Sequence, residues 1–455
     1  MSQVLVGVDV GTTSSKAVVV DEAGREVGHG RAATTWSFTA IGTEIDAFAL
    51  VDSAADAVTR ALSTVPDARV AGVGVASMGE SGVLLDGKGL PLAPLITWHD
   101  RRGADELAAL AASPMGGAFA RRTGLPLSTL ASLIKHRWLI DQELGTRRAV
   151  RRLNVAEWIA RTWGADEASE QSLASRTGWL DLATRSWWTD TVAWAGAKES
   201  LLPPLVTAGT SLGEASGPRV PAQLVGAVLT VAGHDHQAAA VGAAATAAGD
   251  ELDSCGTAEA LIRTIAPGLE PSAVETLVAA GITVGWHVLA DRWCLLGATV
   301  GGLVLQRTLA ALGIDQATLP ELDRQALTAG PGTVTVTHQL GSVAFSGIED
   351  TASPAAIWRA AVDAVAAEAL AIHRAMARNA GPHAELVLTG GWSRSLAVRE
   401  AKRRAFDSFV IPGVGEAGAR GAALFAGLAA GIYAAPSEFP TSAVEPGLRL
   451  STAND

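Results

Sequence analysis

Residues 4–20 constrain this chain more than any other stretch. Val4, Val6, Val8 and Val10 share one parity, and Ala17, Val18, Val19 and Val20 resume the apolar run, which predicts two strands joined by a tight turn. The turn, Gly11-Thr12-Thr13-Ser14-Ser15, is small and polar. Glycine permits positive φ, and small side chains leave backbone N–H groups free to converge on an anion. Asp9 at its mouth would repel a bare phosphate, so a cation is expected between them. An Asp ahead of a phosphate-wrapping turn is what Mg²⁺–nucleotide chemistry needs. An ordinary hairpin with a polar turn satisfies the same letters, and the rest of the chain weighs between the two.

At 455 residues the chain exceeds the size at which one core keeps growing, so two domains are expected. With 48% hydrophobic and 18% charged residues, a membrane protein has to be considered. The most apolar run, residues 238–248, is mostly Ala and Gly and is closed by Asp250, too short and weak to span a bilayer. No basic segment followed by an apolar core opens the chain, so a soluble, cytoplasmic protein is expected. The net charge of −11 argues against a general nucleic-acid binder. Two cysteines, Cys255 and Cys294, cannot build a disulfide framework or a four-cysteine zinc site. Seven of the 13 Trp lie between Trp138 and Trp194, as a packing cluster or a cleft wall.

Further along, residues 26–30 add a third strand, residues 48–62 have helical spacing, and residues 70–76 form a small-residue strand. This switch from antiparallel meander to helix–strand alternation indicates a mixed α/β sheet. Polar residues at the carboxyl end of such strands commonly line a crevice. Met78-Gly79-Glu80 and Trp98-His99-Asp100 stand there, with Glu80 and Asp100 as candidates to meet a hydroxyl, or as a solvated loop carboxylate in the case of Glu80. Residues 104–202 read mainly as helices with no catalytic constellation. Residues 228–232 then form a strand running into His234-Asp235-His236 at the start of an Ala-rich helix. Asp235 suits a helix N-terminus, and an Asp in a cleft can also accept a proton from an attacking hydroxyl.

A second glycine turn, Ser254-Cys255-Gly256-Thr257, lies between apolar strand segments and echoes the first, as a duplicated domain would. Gly301 and Gly302 open a helix, and Thr389-Gly390-Gly391 and Glu416-Ala417-Gly418-Ala419-Arg420-Gly421 are glycine-bearing junctions. Those junctions would let a base and ribose lie against the backbone, or simply make turns and close helix contacts. The tail after Pro436 reads as a loose surface segment.

In this order the motifs resemble the FGGY carbohydrate kinases, relatives of actin, hexokinase and the heat-shock ATPases, over residues 4–431. The resemblance implies an α/β fold of two RNase H-like domains, 1–242 and 243–440, with the active site in the cleft between them and a tail at 441–455. It implies ATP and Mg²⁺, with phosphates held by Gly11, Thr12, Thr13 and by Gly256 and Thr257. Gly301 would approach the nucleotide, and Gly390, Gly391 and Glu416 would flank adenosine. Asp9 would hold the metal with Asp235, and Asp235 would be the catalytic base. Met78, Glu80, Trp98, Asp100, Asp235 and His236 would meet a small sugar, sugar acid or polyol, with no nucleic-acid or membrane partner and a homodimer as the assembly. Two departures stand out: Trp392 replaces a third glycine of many relatives, and Glu80 stands where xylulose kinases usually carry His and glycerol kinases a carboxylate.

Overall fold

The computed structural model describes residues 3–142, 145–329, 332–339 and 342–442; the expected tail at 441–455 lies outside them beyond residue 442. The first sheet joins β1 (Gln3–Val10), β2 (Ser14–Asp21), β3 (Glu26–Ala33), β4 (Arg69–Ser77) and β5 (Val228–His234) in the order β5-β4-β1-β2-β3. The first three strands form the expected antiparallel meander, and β4 and β5 continue in parallel. Strand parity divides the faces as the sequence requires. Val4, Val6, Val8 and Val10 pack with Leu50, Ala54, Ala57, Val58 and Ala61 of α1 (Ala47–Leu62), whose N-terminus is capped by the Asp46 carboxylate. Strand β5 runs directly into α2 (Asp235–Gly242).

The second sheet repeats the plan. Strands β6 (Glu251–Cys255), β7 (Glu259–Ile265), β8 (Thr283–Trp286), β9 (Trp293–Thr299) and β10 (Leu386–Thr389) lie in the order β8-β9-β7-β6-β10. Again a meander (β6, β7, β9) is extended by a parallel strand on the β6 side, and Val410 bridges β10 in parallel beyond it. Helices α3 (Gly301–Leu312), α4 (Pro354–Ala380) and α5 (Leu396–Phe406) pack around it.

The last helix, α6 (Ala417–Ala429), does not stay with the second sheet. It covers the other face of the first one, where Ala419, Ala422, Ala423 and Phe425 meet Leu5, Val18, Val20 and Ala76. Helix α6 takes Gly418 and Gly421 of the expected glycine-bearing junction into its body. The chain after Pro436 is not loose as far as it is described. Phe439 packs edge-on against Phe425, and the Pro440 carbonyl accepts a hydrogen bond from Arg420 at 2.7 Å.

Between β4 and β5, residues 104–202 are more mixed than expected. Helices such as Ser132–Asp141 and Val155–Thr162 alternate with short strand pairs, Leu180–Asp181 with Ser186–Trp187 among them. Trp158, Trp163 and Trp179 are buried, so at least these members of the tryptophan cluster are core.

Candidate active site

Both key carboxylates and the second glycine turn face one cavity of about 730 Å³, lined by Asp9, Lys16, Asp235, His236, Gly256, Thr389, Gly390, Gly391 and Glu416; Lys16 directly follows the first turn. In the first turn the Gly11 N–H donates to the Ser14 carbonyl at 3.2 Å, while Trp36 Nε1–H donates to the Thr12 carbonyl at 2.6 Å. Trp98 Nε1–H donates to Thr12 Oγ1 at 2.9 Å, and the Met78 sulfur lies 3.9 Å from the same oxygen. Met78 and Trp98 thus brace the first turn, and the indole N–H is spent there.

Asp9 sits at the end of β1, directly opposite Lys16 in the hairpin register. Its Oδ1 is buried without a hydrogen-bond partner. Burial and the nearby Asp235 charge push its carboxyl up to about 7, with Lys16 pulling the other way. Asp235 is the first residue of α2, where its Oδ1 accepts from the His236 backbone N–H at 2.7 Å. Burial raises its pKa, and the Glu80 charge adds to the rise, against the lowering effects of His236 and Arg176. The His234 imidazole is held neutral by burial and by Arg176.

Glu80 is not in the lining of that cavity but faces a small one beside Ser132, Lys135 and Arg152, buried at a φ of +62°, a conformation that costs a non-glycine residue energy and that its surroundings must impose. Ser132 Oγ–H donates to its carbonyl at 2.7 Å, and Arg176 Nε–H donates to its Oε1 at 2.7 Å. Arg176 also donates to Thr283 Oγ1 on β8 at 2.7 Å, so it joins the two sheets' territories at this point. Asp100 departs from its expected place. Its Oδ1 accepts from the Arg102 N–H and Nε–H, and its Oδ2 from the Thr43 N–H and Arg102 Nη2. With four bonds its lone pairs are filled, and it closes a loop rather than meeting a hydroxyl.

On the other side of the cavity, Glu416 pairs with Lys16 at 2.7 Å. Gly390 has φ of +90°, and a Cβ there would overlap the Cys255 backbone, so this glycine is required for β10 to turn beside β6. A second cavity of about 570 Å³ continues past Lys16, Gly256, Thr257, Gln306, Gln316, Leu319, Trp392 and Arg394. Trp392 leans on Trp358, their ring centroids 6.0 Å apart, and forms part of that wall.

Lys16, Arg176 and the Glu170–Ser172 pair behind His234 were absent from the residues singled out in the sequence. Ser172 Oγ accepts the His234 N–H at 2.9 Å and donates to Glu170 Oε2 at 2.5 Å. Lys16 carried a usable signal, being the cross-strand neighbour of Asp9 once the hairpin is drawn. Arg176, Glu170 and Ser172 carried none, because they come from the helical stretch that showed no constellation.

Comparison with known proteins places the chain in a family. The model of the FGGY family of carbohydrate kinases, N-terminal domain, matches residues 4–242, and that of the C-terminal domain matches residues 317–430. Glycerol kinase from Solidesulfovibrio magneticus is 27% identical over 471 residues, covering 96% of this chain and 92% of the relative. Glycerol kinase from Janthinobacterium sp. is 29% identical over 467 residues, with 96% and 92% covered. Among solved structures, xylulose kinase from Rhodospirillum rubrum superposes with a TM-score of 0.83 at 24% identity, covering 97% of this chain and 93% of that one. Gluconate kinase from Lactobacillus acidophilus gives 0.86 at 19% identity, with 98% and 93% covered. These structures share the two-domain, actin- and hexokinase-like fold expected from the sequence. The chain belongs to the FGGY family of carbohydrate kinases.

Proposed function

We propose that the protein transfers the γ-phosphoryl group of ATP to a hydroxyl of a small sugar, sugar acid or polyol, with Asp235 as general base. The observation that carries this reading is the meeting of Asp9, Lys16, Asp235 and Gly256 of the second glycine turn around a single cavity. The phosphates would lie along Gly11, Thr12 and Thr13 and along Gly256 and Thr257, with Gly301 behind the second turn. Adenosine would run past Gly390, Gly391 and Glu416. The two units would be 1–242 and 243–440, with α6 of the second packed on the sheet of the first.

A buried, unpartnered Asp9 oxygen with a second carboxylate close enough to raise its pKa fits a divalent cation. Mg²⁺, when bound, neutralises charge on the transferring phosphoryl group. Asp9 would hold it, with Asp235 beside it. Asp235 Oδ2, the oxygen not engaged by the His236 N–H, would take the acceptor proton. Its raised pKa makes it a stronger base than an exposed carboxylate. Lys16 and the turn amides supply fixed positive charge where phosphate oxygens would lie. Glu80, locked in place by Arg176 and Ser132, would accept a hydroxyl of the substrate, helped by Met78, Trp98 and His236. A carboxylate at this position favours a polyol over xylulose. The enzyme would act in the cytoplasm on small molecules. The acidic balance of −11 is unfavourable to a general nucleic-acid partner, and no described helix is long and apolar enough to cross a membrane.

ADP release with Mg²⁺–ATP across glycerol, tetritols, pentitols, ketoses and aldonates tests the reading. One acceptor should raise release well above background. Asp235→Asn should then lower kcat by about 10³-fold or more while ATP affinity stays within about threefold. Full turnover in that variant would remove Asp235 from the mechanism.

A further inference from the structure

Beneath the second glycine turn three ligand-type side chains converge. Asp253 and Cys255 on β6 and Glu259 on β7 are all buried, and their potential ligand atoms lie within 4.8 Å of one another. The space a cation would take is filled by the chain itself. The Lys402 ammonium, from α5, lies 2.6 Å from Asp253 Oδ2 and bonds Glu259 Oε1, with 1% of its side chain exposed. The Cys255 thiol, 3.4 Å from Asp253 Oδ1, is pushed up by burial and by these carboxylates and stays protonated.

The contacts continue to the expected nucleotide side. Asp253 and Glu259 bracket the turn at 254–258. The other oxygen of Glu259 accepts from Thr299 Oγ1–H at 3.1 Å, and Thr299 Oγ1 accepts the Gly301 N–H at 3.0 Å. One ammonium therefore anchors both the glycine turn and the first residue of α3. Two uncompensated carboxylates under a turn that receives polyphosphate would repel it, and in a buried setting that repulsion is poorly screened. With both carboxylates ionised and the thiol neutral, the Lys402 charge leaves the cluster of four with one net negative charge in place of two.

We propose that Lys402 is a positioning residue for the second phosphate turn, its ammonium acting as a built-in counter-cation where a metal ion would otherwise be needed. The proposal rests on the kinase reading of the site. It concerns nucleotide affinity and leaves the acceptor side untouched.

The test is calorimetric titration of the full chain with Mg²⁺–ADP, beside steady-state KM values for ATP and for the acceptor. Lys402→Met should weaken nucleotide binding by about tenfold or more, with the acceptor KM within about twofold. The triple variant Lys402→Met/Asp253→Asn/Glu259→Gln, which removes the carboxylate charges as well, should recover nucleotide affinity to within about threefold of the parent. A lysine that serves only the fold would lower Tm and the active fraction and leave the nucleotide Kd unchanged, which overturns the proposal. So does a triple variant that folds yet binds nucleotide as poorly as the single one. If Lys402→Met does not fold, the triple variant decides, and its failure to fold also counts against charge neutralisation as the role. A parent chain that binds no nucleotide overturns the kinase reading itself, a separate result.

Discussion

Asp9 holds its proton up to about pH 7 in the ligand-free protein, because burial and Asp235 both oppose its charge. A proton there competes with a metal ion, so the apparent Mg²⁺ affinity of the nucleotide complex should fall by about tenfold per pH unit below 7. Mg²⁺ titrations between pH 5.5 and 8 would show it, and a flat profile would mean that Asp9 does not hold the ion. The same shift acts on stability. The folded state keeps this proton between the ordinary Asp value of 3.8 and about 7, where the unfolded chain has lost it. Stability of the ligand-free protein therefore declines as pH rises through that window. Asp9→Asn should remove that slope and raise Tm at pH 8 by roughly 1 °C for each kcal/mol of charge burial relieved in a chain of 455 residues. A lower Tm would show that Lys16 already compensates the charge. Asp9 is thus a site residue held at a cost to the fold.

At the scale of elements, the contact of β1 with α6 depends on small residues. Gly7 is on the face of β1 opposite to Val6 and Val8, and a Cβ there would overlap the backbone of Ala419 and Ala423. Backbone atoms cannot swing away as a side chain can, so the helix would have to lift off the sheet. Gly7→Val should cost about 3 kcal/mol or more in chemical denaturation. Unchanged stability would mean that α6 slides freely over β1. This packing places Gly418 and Gly421 inside the helix, Gly418 at its cavity end. Tertiary packing settled this, because a glycine-rich run can serve a loop or a close helix contact equally well.

For the whole molecule, the return of α6 to the first sheet means that the two ends of the chain share one core. Residues 1–242 alone should expose Leu5, Val18, Val20 and Ala76, bind a hydrophobic dye and aggregate, and adding residues 413–442 in the same chain should reverse this. A monomeric, dye-silent 1–242 fragment would show that the sheet closes without its last helix. The sequence by itself determined the meander, the Asp9 and Asp235 positions at strand ends, the two glycine turns and the family. Each of these is written in a short run of neighbouring residues, where strand parity, turn chemistry and motif order are local properties. What only the tertiary structure decided was which distant groups meet. Thr43 reaches Asp100 Oδ2 from 57 positions away, Arg176 arrives beside Glu80 from a helical stretch without a motif, and Lys402 comes from α5 to the underside of the second turn. The last of these spans 149 positions in sequence, and the Lys16–Glu416 pair spans 400. No local pattern encodes them, because side-chain charge and burial are set only once the sheets and helices have packed.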